Sequence, residues 1–408
     1  MPTPKTKKIE LLAPAGNFEK LEIAIHYGAD AVYLGGKNFS LRNFSGNFRL
    51  EEIKQAVAYA HDRGVNVYVT VNIYARNDEQ PFIAAYLEEL GAAGPDGLIA
   101  ADPGVVITAR ELIPQIPLHL STQANSTNYK TVEFWERLGI RRVNLARELT
   151  LAEIKTIAEK SHIEIEAFVH GAMCIAYSGR CLLSSFMANR HSNRGMCTHP
   201  CRWKYALVEE TRAGQYMSIA EDDRGTYIFN SKDLCMIEHI PAMIDSGVSA
   251  LKIEGRMKGI NYLASVVKVY REAIDRYVQD PAGYSVRPEW LIELTKLNNR
   301  GYCTGFYIND PPQIVPDYEF NKHIDTHLFI GKVIAAHDDG RTLMEVRNKC
   351  RAGDPVEILS PRHVIRNTCI GDMRDEEGKP IQIAQPNSRV YPDLGIKSKP
   401  YDLIRKLI

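Results

Sequence analysis

From Ile9 to Tyr277 the chain alternates short, continuously apolar runs with longer amphipathic stretches. Ile9 to Leu12 reads as a strand that ends in Ala13-Pro14-Ala15-Gly16, and Asn17 then caps a helix from Phe18 to His26. Strand-like runs recur at Ala31–Leu34, Val65–Val71, Gly97–Ala100, Leu118–Leu120, Arg142–Leu145, Ile163–Val169, which alternates, and Ala250–Ile253. Helical periodicity fills the intervals at Leu50–His61, Pro81–Leu90, Pro103–Leu112, Asn128–Leu138 and Leu151–Lys160, and again at Ile260–Tyr277. A strand that is apolar without alternation is buried on both faces, as in a parallel sheet. Eight such units within about 280 residues match the size of a (β/α)8 barrel. A doubly wound sheet is the rival, but it usually opens on a glycine-rich phosphate loop, and neither GxGxxG nor GxxxxGK occurs.

The seventh unit breaks the rhythm. Roughly eighty residues separate the seventh and eighth runs, far more than a crossover needs. The pattern therefore predicts a catalytic barrel over residues 1–280 with an insertion at 171–248, which a barrel would carry at its C-terminal mouth. Prolines 281, 288, 311, 312 and 316 mark residues 281–325 as a linker or arm. From Phe329 the period drops to two, at Ile330–Ala336, Leu343–Arg347, Pro355–Leu359 and Val364–Ile370. Residues 326–408 thus read as a small all-β, barrel-like domain.

Composition narrows the function classes. The chain has 408 residues, 45% hydrophobic and 25% charged, with a formal net charge of zero. No global field draws it to nucleic acid or to a membrane surface. From Asn321 onward 15 Lys and Arg stand against 12 Asp and Glu, a margin that permits contact with a phosphate backbone without signalling it. The amino-terminal MPTPKTKK is charged and followed by too short an apolar run for a signal peptide or a membrane span. With many cysteines besides, this argues for a reducing cytoplasm.

Five of the eight cysteines, Cys174, Cys181, Cys197, Cys201 and Cys235, fall in the insertion. Their spacing is wide and irregular, without the tight CxxC pairs of zinc knuckles. That suits an iron–sulfur centre held from several loops, against the alternative of free thiols buried in a core. Clustering favours Cys174, Cys181, Cys197 and Cys235 as ligands, with Cys201 as the substitute. Cys303, Cys350 and Cys369 lie far off in sequence and outside the insertion.

The strand ends carry the other candidate chemistry. Glu166, Phe168 and His170 alternate and so share a face, as do Lys252, Glu254 and Arg256. His119, Ser121, Gln123, Asn144, Arg147 and Glu148 end the fifth and sixth runs. Together they make a polar basin in which Arg147, Lys252 and Arg256 suit a carboxylate or a phosphate, and Glu166, His170 or Glu254 could handle protons. An ion-pair network that merely satisfies enclosed charges is the competing reading. The loop Lys37–Arg42, with Phe39 and Phe44, is either a clamp at the mouth or two core aromatics with solvated neighbours.

The stretch Glu166-x-Phe168-x2-Gly171-Ala172-Met173-Cys174-x4-Gly179-x-Cys181-x-Leu183-Ser184 resembles the signature of the collagenase-like peptidase family, whose catalytic type is unassigned. Leu12-Ala13-Pro14-Ala15-Gly16, Tyr33-Leu34-Gly35, Thr122-Gln123, Arg147-Glu148-Leu149, Gly195-Met196-Cys197, Cys201-Arg202 and Lys252-Ile253-Glu254-Gly255-Arg256 extend the likeness over roughly residues 9 to 275. The resemblance implies one of two activities. One is peptidase action on collagen-like substrates. The other is oxygen-independent hydroxylation with a [4Fe-4S] cluster on four cysteines, and the set chosen from clustering resembles the family's ligand set. In length and C-terminal domain the chain looks most like the group that converts the wobble uridine of tRNA to 5-hydroxyuridine with prephenate or a related carboxylate. A peptidase finds little support in the residues, since HExxH and GxSxG are both missing. Cys174 with His170 would make a conceivable thiol protease, but it leaves the other clustered cysteines unexplained.

Overall fold

In the computed structural model the described residues are 9–40, 46–173, 181–188, 190, 196–198, 207–208, 216–217, 220–222, 225–227, 232–299, 301–308, 327–336 and 342–408. Seven parallel strands run in order: β1 (Glu10–Pro14), β2 (Ala31–Gly35), β3 (Asn66–Val71), β4 (Gly97–Ala100), β5 (Leu118–Leu120), β6 (Ile140–Asn144) and β7 (Glu164–Gly171). The eighth barrel strand, Ala250–Ile253, pairs in parallel with both β7 and β1 and closes the ring. The fold is a (β/α)8 barrel, as the apolar rhythm predicts.

The helices between the strands start where side chains can satisfy their first N–H groups. Asn17 accepts from the Lys20 amide, Asp102 from the amides of Gly104 and Val105, and Thr150 from that of Glu153. Each strand turns every second residue outward onto these helices. Leu11, Ala13, Val32, Leu34, Val67, Val69, Leu98, Val143, Ile165 and Leu251 lie in one core with helix residues such as Leu21, Ile53 and Leu87. The inward residues are different in kind. Leu12, Tyr33, Tyr68 and Ile99 form a separate small cluster inside the ring, and charged side chains fill the rest.

The insertion adds a short strand, Asp233–Cys235, antiparallel to the end of β7 and parallel to a second short strand, Tyr302–Cys303. The C-terminal unit is an antiparallel sheet of eight strands with its own core around Ile330, Val333, Met344, Val356 and Ile404. It docks on two barrel helices. Lys332 and Arg347 both donate to Glu19 at 2.6 Å, and Tyr27 on the same side donates to the Leu359 carbonyl at 2.8 Å. From the helix Ile260–Gln279, Lys268 donates to the carbonyls of Ser360 and His363. No helix among the described residues is long and apolar enough to cross a membrane.

Candidate active site at the barrel mouth

The inward residues form two levels. On the lower one, Lys252 Nζ sits 2.7 Å from Glu166 Oε1, and Arg142 reaches Glu166 at 3.5 Å, Glu164 at 2.6 Å and Glu10 as well. Glu166, Lys252 and Arg142 are all buried. Tyr68 donates to Glu10 at 2.7 Å and packs edge-on against His119. Burial, together with the neighbouring Arg142 and Lys252, holds the His119 pKa well below its ordinary value. Burial also lowers that of Lys252, against the opposing pull of Glu166. Charges at this depth are tolerated because they face one another. Two candidates from the sequence, Glu166 and Lys252, are thus bonded to each other below the mouth.

The upper level is built from residues at and just beyond the C-terminal strand ends. Arg256 crosses from the eighth strand toward β2 and β3. It donates to Ser40 Oγ at 2.9 Å, to Thr70 Oγ1 at 3.3 Å and to Asn47 Oδ1. Gly35, at the end of β2, makes room for it: a Cβ there would stand 2.5 Å from Arg256 Nη2 and from Ser40 Oγ. Arg147, after β6, lays its guanidinium 4.3 Å above the Phe168 ring and donates to the Ala172 carbonyl. Gln123, after β5, is held by Asn72 and Ser121, which donate to its side-chain oxygen at 2.7 and 3.2 Å, and by Tyr74, which donates to its carbonyl. Asn144 is the inward residue that ends β6, and Glu148 beside it has its carboxyl pKa raised by burial. The carboxyl-bearing Glu254 is half-buried behind Gly171, with its backbone carbonyl accepting from Tyr262 at 2.9 Å.

His170 corrects the alternation read from the sequence. Lys252 pairs with Phe168 but Ile253 pairs with His170, so Val169 is an extra residue in β7. A bulge of this kind reverses the facing of the residues beyond it. His170 therefore leaves the face of Glu166 and Phe168 and lies among Tyr262, Tyr270 and Tyr302, its Nδ1 3.3 Å from Tyr270 OH. Burial drives its pKa down to about 3, which keeps the ring neutral.

The cysteines are partly in view. Cys235 is buried and its thiol is pushed up to about 11 by burial, while Cys181 and Cys197 are half-buried. Cys174 and Cys201 fall outside the described residues, as do Arg194, Arg202, Lys204, Arg42 and Phe44. Among the described residues no three Cys, His, Asp or Glu gather closely enough to hold a metal ion. The donor chemistry still suits iron, because every candidate is a thiol, and at buried Cys235 a thiolate would form only with a cation beside it. Tyr270 OH lies 3.8 Å from Cys235 Sγ and 2.8 Å from the Val169 carbonyl. Cys303 is not remote. Its strand pairs with that of Cys235, Cys303 opposite Leu234, which sequence distance did not foretell.

Sequence reasoning also missed the residues that hold the candidates: Ser40, Asn47 and Thr70 around Arg256, and Asn72 and Tyr74 around Gln123. Only Ser40 carried a signal, through the suspected clamp loop. Phe39 in that loop packs against Tyr86, its ring centroid 5.6 Å away, and lies against the barrel core.

Comparisons with known proteins place the chain in a family. Residues 16–316 match the model of peptidase family U32, and residues 325–405 match that of the peptidase family U32 C-terminal domain. The chain is 44% identical to tRNA hydroxylation protein P1 of Bacillus subtilis (strain 168), over 98% of this chain and 95% of that protein. It is 37% identical to tRNA hydroxylation protein P of Escherichia coli (strain K12), covering 92% and 91%. The 23S rRNA 5-hydroxycytidine C2501 synthase of the same strain is 32% identical over 89% of this chain and 54% of that protein. With both of its domains matched, the chain belongs to peptidase family U32.

Proposed function

We propose that this chain hydroxylates RNA, and that its substrate is the wobble uridine of tRNA, converted to 5-hydroxyuridine in the cytoplasm without molecular oxygen. The observation that carries the reading is the nearly end-to-end likeness to relatives named for tRNA hydroxylation, with the synthase of a hydroxylated rRNA base in the same set. The barrel mouth supports it, since the buried polar residues there cluster at and beyond the strand ends. A base in an anticodon loop is already unpaired, so presenting it to a recessed mouth costs little pairing energy.

In this reading Cys174, Cys181, Cys197 and Cys235 hold a [4Fe-4S] cluster. Such a cluster supplies one-electron chemistry when bound. The chain's own residues do the rest. Arg256 binds the carboxylates of prephenate or a related donor, and Ser40, Thr70 and Asn47 orient its guanidinium. Lys252 is committed to Glu166 below and serves to hold the barrel rather than the donor. Glu254, at the rim, is the group left to move protons, because His170 is walled in by three tyrosines. Arg190 is exposed on the insertion, where it suits a phosphate backbone.

Reconstitution tests the proposal. Protein purified without air is assayed for iron and sulfide, then incubated with prephenate and tRNA from cells that lack it. The expected result is iron and sulfide in the protein and 5-hydroxyuridine in the digested tRNA. Zinc in place of iron would reject the cluster, and release of peptides with no oxidised nucleoside would favour a peptidase.

A further inference from the structure

The hydrogen-bonding atoms at the mouth with no partner among the described residues include Gln123 Nε2, Asn144 Oδ1 and Arg147 Nε, at and beyond the ends of β5 and β6. All three residues are more than nine-tenths buried, with exposures of 4%, 3% and 7%. Buried polar atoms without partners are rare and costly, and where they gather they mark a place that something else completes. Their chemistry is mixed. Gln123 is left with its amide nitrogen to offer because Asn72 and Ser121 both donate to its oxygen. Arg147 Nε can only donate, and Asn144 Oδ1 can only accept.

The fold also sets their order. Gln123 comes after β5 and Asn144 ends β6. Arg147 leans from β6 over Phe168 and toward Ala172, on the β7 side. The two loops are tied together by Thr122 Oγ1 donating to the Leu145 carbonyl at 2.9 Å and by the Ala146 amide donating to the Ser126 carbonyl at 3.1 Å. Around the rim these three groups therefore run donor, acceptor, donor.

We infer that Gln123, Asn144 and Arg147 read the imide edge of a flipped-out uracil ring. That edge presents O4, N3–H and O2, which is acceptor, donor, acceptor, and it complements the rim group for group. Cytosine offers N4–H2, N3 and O2, which is donor, acceptor, acceptor, and it sets its N3 lone pair against Asn144 Oδ1. A simple carboxylate is disfavoured for the same reason, because the central group is an oxygen. The carboxylate donor of the proposed reaction is thereby left to Arg256, on the β2–β3 side of the mouth, and the base takes the β5–β7 side. Phe168, whose face already carries Arg147, floors the base side. The assignment of uracil to the mouth rests on the RNA-modifying reading above, but the edge pattern is a separate observation. Sites built to pair with every polar group of a ligand reject the analogue that leaves one unpaired.

Binding of short RNA hairpins tests this without requiring turnover. The full chain is titrated with hairpins carrying uridine or cytidine at one loop position, in parallel with Gln123→Glu, Asn144→Leu and a thermal-melting control. Gln123→Glu keeps the oxygen that Asn72 and Ser121 bond and replaces only the Nε2 amide nitrogen, and the melting control shows whether the fold is kept. The wild type should prefer the uridine hairpin by roughly 10- to 100-fold, the discrimination expected when one or two buried hydrogen bonds go unmade. Each variant should lose that preference with its melting temperature little changed. A uridine preference that survives in both variants overturns the edge assignment, as does a wild type with no preference. If the preference and its loss are both seen while tRNA nucleosides are unaltered in cells lacking the protein, the edge assignment stands and the hydroxylase reading falls.

Discussion

The floor of the barrel is lined by inward residues of the strands and the mouth by residues at and just beyond their ends, and the charges of the one and the amides of the other are in opposite states. On the floor, Glu166 takes Lys252 and Arg142, and Arg142 also takes Glu10 and Glu164. Further toward the C-terminal ends, Gln123 after β5 and Asn144 at the end of β6 keep a donor and an acceptor with no partner among the described residues. A saturated ion network in a closed interior holds structure, whereas an unsaturated set of neutral amides beside Arg147 suits a ligand. The polar basin visible in the sequence is therefore two things stacked. Of the two readings it allowed, the structural network is found on the floor, and the proposed binding site lies above it.

Breaking the floor should have the largest effect. Glu166→Ala leaves Lys252 with an uncompensated buried charge, while Arg142 keeps Glu10 and Glu164, and should destabilise the barrel by about 3–5 kcal/mol, measured as a drop in the urea midpoint. Unchanged stability would mean that water reaches this level. At the mouth the effect should fall on activity instead. Arg256→Ala should keep the cluster absorption and tRNA binding but lose most modification, with the demand for donor rising sharply. Gly35→Ala should imitate it more mildly, because the added methyl displaces Arg256 without removing its charge. If both variants modify tRNA normally at low donor concentration, Arg256 does not bind the donor.

A smaller effect separates the levels by pH. His119 sits on the floor with its pKa well below the ordinary value of 6.5. The unfolded chain takes up a proton there that the folded barrel refuses, so this stability is complete above about pH 6.5 and is lost as the pH falls below it. His119→Phe should flatten the decline in the urea midpoint between about pH 7 and 5. An identical slope in both proteins would assign the acid sensitivity elsewhere. The smallest change comes from Tyr74→Phe, which removes one hydrogen bond to the Gln123 carbonyl and should cost about 0.5–1.5 kcal/mol. It should loosen the uridine preference before it alters stability.

The eight strands were legible because a parallel barrel buries both faces of each strand, and continuous apolar runs have no other common cause. Mouth residues such as Gln123, Asn144, Arg147 and Arg256 were legible as polar residues at the ends of those runs. Their level in the barrel was not. Nothing in the spacing of Glu166 and Lys252 says that they bond each other, since the pairing depends on the stagger between β7 and the eighth strand. The bulge at Val169 has no mark in the sequence either, and it is the feature that turns His170 away from the mouth. Ser40 and Asn47 reach Arg256 from segments brought to the end of β2, where the Phe48 amide donates to the Gly35 carbonyl. Cys303 meets the strand of Cys235 through a pairing between segments more than sixty residues apart, which no local pattern encodes.

The account stands on the mouth being where a uridine is oxidised. The most direct measurement is mass spectrometry of tRNA nucleosides from cells lacking the protein, restored with the wild type, with Arg256→Ala or with Gln123→Glu. The account predicts that 5-hydroxyuridine and its derivatives vanish in the deletion, return with the wild type and stay largely absent with either variant. Full modification in the deletion strain, with no second member of the family present, would contradict it.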